Sequence, residues 1–300
     1  MPLVSVIMPV FNRREVAPRA IRSVLGQSGV DFELIVVDDA SDRPAEEVYE
    51  EVREAGHSVL YQSHNCGPGA ARNLGASRAR GDWLAFLDSD DYWLESKLAT
   101  HLESLRRSGL SIGQTEEIWY REGERVNPPK AHKISGGDLF RRSLRAVCVS
   151  SSSVVLKRSL FESHGGFDES FFVCEDYDLW LRVAAVHPFD FCPEPLVVKH
   201  GGHEDQLSRA LPAMDRFRIV SLLKGLNQEG AWQTPERVEA IRSELHRKLR
   251  ILSKGSAKRG LDRVVSLCAE VVAAVGRDDV AGALELAREL LLMWPARTGS

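Results

Sequence analysis

Asp82-Trp83-Leu84-Ala85-Phe86-Leu87-Asp88-Ser89-Asp90-Asp91 is the stretch that decides the fold. Its apolar run, Trp83 to Leu87, reads as a strand buried on both faces, and it stops abruptly at carboxylates. In an open α/β sheet, ligands bind in the crevice beyond the carboxyl ends of the strands. Carboxylates crowded there repel one another unless a cation joins them. A hard divalent ion suits the place, because Mg²⁺ uses one or two protein carboxylates plus substrate phosphates. The stretch therefore reads as the holder of a metal–diphosphate. The plainer alternative is an acidic turn leading into a helix N-terminus, where Asp is common.

The neighbouring stretches repeat the pattern. Val4 to Pro9 reads as a buried strand, followed by the polar loop Phe11-Asn12-Arg13-Arg14 and a helix with Val16, Ala20, Ile21, Val24 and Leu25 on one face. Phe32 to Val37 is a second strand, and it too ends in carboxylates, Asp38-Asp39. Ser58 to Gln62 is a third. Asn65-Cys66-Gly67-Pro68-Gly69-Ala70-Ala71-Arg72-Asn73 then leads into a helix. Strands alternating with helices of about 10–15 residues predict βαβ units and a parallel sheet. Right-handed crossovers put these strand ends on one edge. Pro9–Asn12, Asp38-Asp39 and Asp88–Asp91 are expected to share one crevice.

Beyond a helix near residues 95–108 the pattern loosens. Residues 110–137 are polar, with Trp119, Tyr120, Arg121, Arg125 and Pro128-Pro129, and their alternation is too weak to assign structure. Ser152 to Lys157 reads as a strand, Gly165 to Glu169 as a turn, and Glu175 to Arg182 as a helix with an acidic start. Phe189 to Lys199 is a closing strand that runs into His200-Gly201-Gly202-His203. From about Pro212 the chain reads as all helix. Candidates cover 214–227, a helix opened by Thr234-Pro235, and two more at about 261–275 and 279–293, after a break at 253–260. Two domains are expected: an α/β unit over 1–211 and a helical region over 212–300. The helical region would pack on the sheet domain or pair with a partner helix, a second copy of the chain included.

Composition narrows the function classes. The 300 residues are 43% hydrophobic, enough for a sizeable core plus a module. A net charge of −4 leaves no basic excess for nucleic acid. No apolar run reaches the roughly 18 residues of a membrane span. Met1 to Arg14 lacks a basic lead and a small-residue cleavage site, so it reads as the first strand and not as a signal peptide. The five cysteines are scattered, with no zinc spacing, as fits reduced thiols in a cytoplasm.

Five ordered pieces carry a resemblance. They are VSVIMPVFNR (4–13), ELIVVDDASD (33–42), NCGPGAARNLGA (65–76), GDWLAFLDSDDYW (81–93) and GGFDESFFVCEDYDLWLR (165–182). Over residues 3 to about 205 the chain resembles the family 2 glycosyltransferases, inverting enzymes of the GT-A fold. The resemblance implies a Rossmann-like, mostly parallel twisted sheet flanked by helices. It implies transfer of a sugar from a nucleotide diphosphate sugar, a UDP-sugar by default, to an acceptor hydroxyl. The acceptor would be a glycan, a lipid-linked sugar or a small molecule, in bacterial surface polysaccharide or glycan synthesis. The helical region lies outside the resemblance.

Site residues follow from the same match. Pro9, Phe11 and Asn12 with Asp39 would line the base and ribose pocket; Asp38 reads as equally suitable from residue type alone. Gly67 and Gly69 would bring backbone close to ligand. Arg72 would fork onto diphosphate, or else pair with the acidic loops. Arg72 also breaks a dinucleotide fingerprint, standing where its third glycine belongs. Asp90 would ligate Mn²⁺ or Mg²⁺, with Asp88 on ribose or on the metal's shell. Asp176 would be the general base, flanked by Glu175 and Asp178. A histidine after the last strand, His203 in preference to His200, would touch metal or phosphate. Trp119, Tyr120, Phe171 and Trp180 could stack on sugar or sit in core or rim. The enzyme is expected in the cytoplasm, with peripheral contact at the inner membrane face. The alternative is a nucleotide-sugar-binding scaffold that has lost its catalytic step.

Overall fold

Four short strands set the frame: β1 (Val4–Val10), β2 (Phe32–Asp38), β3 (Ser58–Tyr61) and β4 (Trp83–Phe86). They run parallel in the order β3-β2-β1-β4, with Val4 opposite both Phe32 and Trp83. The computed structural model describes residues 3–127, 132–202 and 211–293. Crossovers are made by α1 (Ala17–Leu25), α2 (Glu46–Glu54) and α3 (Pro68–Arg78). Strand β1 is buried along its whole length, as a central parallel strand covered on both faces must be. Its alternation is still visible in the packing. Val4, Val6, Met8 and Val10 join one core with Ala20, Ile21, Val48 and Leu98, while Ile7 joins another with Phe86, Leu179 and Trp180.

The chain continues through β5 (Tyr92–Trp93), α4 (Lys97–Ser108), β6 (Ile112–Arg121), β7 (Glu124–Val126), α5 (Phe140–Arg145), β8 (Val155–Lys157), α6 (Arg158–Ser163), α7 (Glu175–Ala184) and β9 (Asp190–Gly201). These strands extend the sheet as β4-β8-β6-β9-β5, with β7 paired to β6. The sheet is therefore mixed. β6 and β9 are parallel, while β4–β8, β6–β8, β5–β9 and β6–β7 are antiparallel.

Residues 112–126, given no structure from sequence, form the β6–β7 hairpin. Its turn, Glu122-Gly123, has both φ angles positive (52° and 84°), as a two-residue hairpin turn demands. The strand hid because its buried positions are polar. Gln114, Thr115 and Glu117 lie inside, and Gln114 donates to the carbonyls of Ser135 and Cys148.

The described residues form two compact units, within Met1–His203 and within Glu204–Ser300. The second holds α8 (Asp215–Leu226), α9 (Pro235–Ala257), α10 (Asp262–Gly276) and α11 (Val280–Leu292). Each of these helices packs on two others, closing a ring. The break expected at 253–260 is mostly helix: α9 runs on to Ala257, with Ser256 buried.

Candidate active site

At the carboxyl edge of the parallel strands, the loop after β1 is latched to the loop after β2. Asn12 Nδ2 donates to Asp42 at 3.0 Å, the Asp42 amide returns a bond to Asn12 Oδ1 at 2.9 Å, and the Asn12 amide reaches Ser41 Oγ at 2.9 Å. Asn12 takes φ 50°, a left-handed geometry Asn tolerates. Pro9 lies in β1 beside Val37, and Phe11, just past the strand end, is 40% exposed.

The two aspartates at the end of β2, Asp38 and the following Asp39, part company here. Asp38 is buried and accepts from the Ser41 amide and from Tyr49 Oη, both at 2.7 Å. Asp39 accepts from Gln62 Nε2, the Cys66 amide and the Gly67 amide, each at 2.8 Å. Burial raises the Asp39 pKa above the ordinary carboxylate value, against those backbone N–H groups. A carboxylate has about four lone-pair sites, so Asp39 keeps one acceptor position on Oδ2.

The glycines approach protein where sequence suggested ligand. A Cβ on Gly67 would stand 3.1 Å from the Phe172 ring, and one on Gly69 would stand 3.0 Å from Glu175 Cγ. Gly67 also has φ +87°. The loop that opens α3 is thus pressed on the segment that opens α7. Asn73 fastens the same junction, exchanging bonds of 2.9 and 3.0 Å with the Phe167 backbone.

Arg72 occupies the centre. Its Nη1 meets Glu175 and its Nη2 meets Asp88, each at 2.7 Å, over the Phe167 ring. Burial opposes its charge, but the two carboxylates raise its pKa above the ordinary value. Burial opposes the Asp88 charge too, raising its pKa, but Arg72 and Lys199 carry it below the usual value. Of the two readings open for Arg72, the structure displays the ion pair with the acidic loops.

The remaining acidic residues divide by partner. Asp91 is buried and accepts from Ser152 Oγ at 2.6 Å, Lys199 Nζ at 3.0 Å and the His200 amide at 3.1 Å. No hydrogen bond or ion pair reaches the Asp90 carboxylate among the described residues. Burial, then Asp91 and Asp88, push its pKa up to about 7. Asp178 is held by Arg182 at 2.9 Å. Glu175 is pushed up to about 7, by burial first and by Asp176 next, against Arg72. Asp176 is partly exposed, and its Oδ1 accepts from the Tyr177 amide at 2.6 Å. Cys174, just before this pair, takes φ 62°, outside the helix proper.

Arg72, Asp88 and Glu175 therefore form one bridge, with Asp90 and Asp176 as near neighbours in sequence of its two ends. His203 lies outside the described residues. His200 stacks between Tyr92 and Tyr120, with ring centroids 5.7 and 5.6 Å away. Trp180 and Phe171 are core, while Trp119 and Tyr120 stay partly exposed on β6. Sequence reasoning missed Lys199, Ser152, Glu117 and Phe172. A lysine closing the otherwise apolar run Leu196–Val198 was the only trace of Lys199.

Comparison with known proteins gives a consistent answer. The family model described as Glycosyl transferase family 2 matches residues 5–165. The Escherichia coli protein WfgD, a UDP-Glc:alpha-D-GlcNAc-diphosphoundecaprenol beta-1,3-glucosyltransferase, is 31% identical over 185 residues, which are 60% of this chain and 69% of that one. An uncharacterized glycosyltransferase of Rickettsia conorii is 30% identical over 182 residues, 61% of this chain but only 30% of its own length. The crystal structure of S. aureus TarS 1-349 in complex with UDP superposes with a TM-score of 0.69 at 15% identity, over 96% of this chain and 91% of that one. The sheet and its flanking helices are those of the GT-A fold.

Proposed function

The chain belongs to glycosyl transferase family 2, and from that premise we propose that it moves a sugar from a UDP-sugar to an acceptor hydroxyl, with inversion. The observation that carries the reading is the Asp88–Arg72–Glu175 bridge. It fixes the strand end that would hold the donor to the helix that would supply the base. Such fixed positioning is a large part of bimolecular catalysis.

Pro9, Phe11 and Asn12 would form the floor and wall for the base. The last lone pair of Asp39 would accept from the base or ribose, and Asp88 would face the ribose. Gly67 shapes the loop between them. Mn²⁺ or Mg²⁺ fits Asp90, whose carboxylate has no protein partner among the described residues and is crowded by Asp88 and Asp91. No three His, Cys, Asp or Glu side chains among the described residues could hold an ion alone. The fit is therefore to an ion completed by donor phosphates, with His203 as a further contact. When bound, such an ion offsets charge on the departing diphosphate.

Asp176 would take the acceptor's proton while the new C–O bond forms and the bond to diphosphate breaks. Glu175 holds Arg72 in place beneath it. WfgD is named for a diphosphoundecaprenol-linked acceptor, and a lipid-linked acceptor in bacterial surface polysaccharide synthesis is part of the proposal for this chain. No described helix is long and apolar enough to cross a membrane; a cytoplasmic place, with contact at the inner membrane face, belongs to the same proposal.

UDP binding and UDP-sugar turnover, each with and without Mn²⁺, test it. Asp90→Ala should weaken Mn²⁺-dependent UDP binding. Asp176→Asn should keep binding and lose about 10²–10⁴-fold in turnover. Normal turnover by Asp176→Asn would remove the base assignment.

A further inference from the structure

Lys199 belongs to none of the recognised motifs, yet the acidic turn is built around it. Its Nζ stands 3.0 Å from Asp91 Oδ2, 3.2 Å from Ser150 Oγ and 4.0 Å from Asp88 Oδ2, on a side chain only 20% exposed. Glu117 acts on it from β6, and the Trp119 ring lies 6.0 Å away. Asp91 does not need this lysine to be satisfied, since Ser152 and the His200 amide already donate to it. An ammonium carries three N–H groups. Asp91 and Ser150 take two, which leaves one on a group that faces Asp88 beyond hydrogen-bond range. Charge gives the second reason. Asp91, Glu117 and Asp88 all act on Lys199, while Arg72 is already divided between Asp88 and Glu175.

Resting on the donor-site reading above, we propose that Lys199 is a donor-binding residue, the resident cation of the Asp88–Asp91 turn. It offers its remaining N–H to a donor phosphate oxygen. Asp90 would hold the metal ion, and the Lys199 charge, which acts on Asp90, would oppose that binding when no diphosphate is present.

Opposite signs follow for two affinities, and a merely structural lysine would not give them. On the full chain, Mn²⁺ binding without UDP and UDP binding without Mn²⁺ are measured by calorimetry, with thermal melts as the check on folding. Lys199→Gln keeps the polar contacts and removes the charge. It should bind Mn²⁺ about tenfold more tightly and UDP about tenfold more weakly. Lys199→Met carries the same expectation should the glutamine variant fail to fold, and Lys199→Arg should restore both values to near wild type. If both affinities move together, or neither moves, while the wild type binds Mn²⁺ and UDP, the Lys199 assignment falls alone. If the wild type binds neither, the donor-site reading falls and takes this one with it.

Discussion

Lys97 shows how much one residue can reveal about the sheet unit. It sits in the first turn of α4, fully buried, with Nζ 4.1 Å from the Trp93 ring centroid and no hydrogen-bond partner among the described residues. Burial pushes its pKa down to about 7. The folded state thus binds fewer protons than the unfolded chain between that value and the ordinary one near 10.5. Stability should rise with pH across that window and be lowest below it. Lys97→Met keeps the stem and removes the amine. It should stabilise the protein by roughly 3 kcal/mol at pH 6, an advantage that fades by about pH 10. Urea unfolding at three pH values reads this directly. An unchanged or lower midpoint at pH 6 would mean that the ammonium is solvated in place. The cation–π contact does not reverse the sign, since even a desolvated one is worth only about 2 kcal/mol.

At the scale of elements, α3 is the piece on which the site depends, and glycine sets its height above the sheet. A Cβ on Gly75 would stand 2.5 Å from Ile7 Cγ2, a buried branch of β1 that cannot swing aside. Alanine gains about 1 kcal/mol of helix propensity over glycine. Overpacking a tight core costs about 1–3 kcal/mol, and here it should win. Gly75→Ala is expected to lose about 1 kcal/mol and to lower UDP affinity, because Arg72 lies one turn away on the same helix. A variant as stable as wild type would show that α3 can lift without cost. The sequence displayed this element, since NCGPGAARNLGA marks a loop and a helix start. It did not display that Gly67 and Gly69 yield to Phe172 and Glu175, about a hundred positions on, because close approach names no partner. The acidic residues were legible as a group but not one by one. Asp38 and Asp39 are adjacent, and only tertiary contacts give one to Tyr49 and the other to the Cys66-Gly67 backbone. Strand β6 escaped for the reason that makes it interesting: its interior is polar, so the period-2 signal cancels.

At the scale of the whole molecule, the division into two units makes its own demand. Both large cores of the sheet lie within Met1–His203, and so does every candidate residue described above. About 200 residues bury enough surface to fold alone. The helical unit is built differently. Leu223, Leu245, Leu267 and Ala287, one on each helix, are fully buried, and Lys248 is buried between Asp215 at 3.4 Å and Glu244 at 3.2 Å. A buried pair of this kind adds little net stability, but losing one partner is costly. A fragment ending at residue 211 should therefore fold and bind UDP within about threefold of the full chain, a difference below 1 kcal/mol. The fragment from residue 212 should be helical by circular dichroism, and its sedimentation would show whether it pairs with itself. A soluble first fragment without UDP affinity would place part of the nucleotide site in the helices. An insoluble one would mean that the sheet unit's cores are not sufficient by themselves.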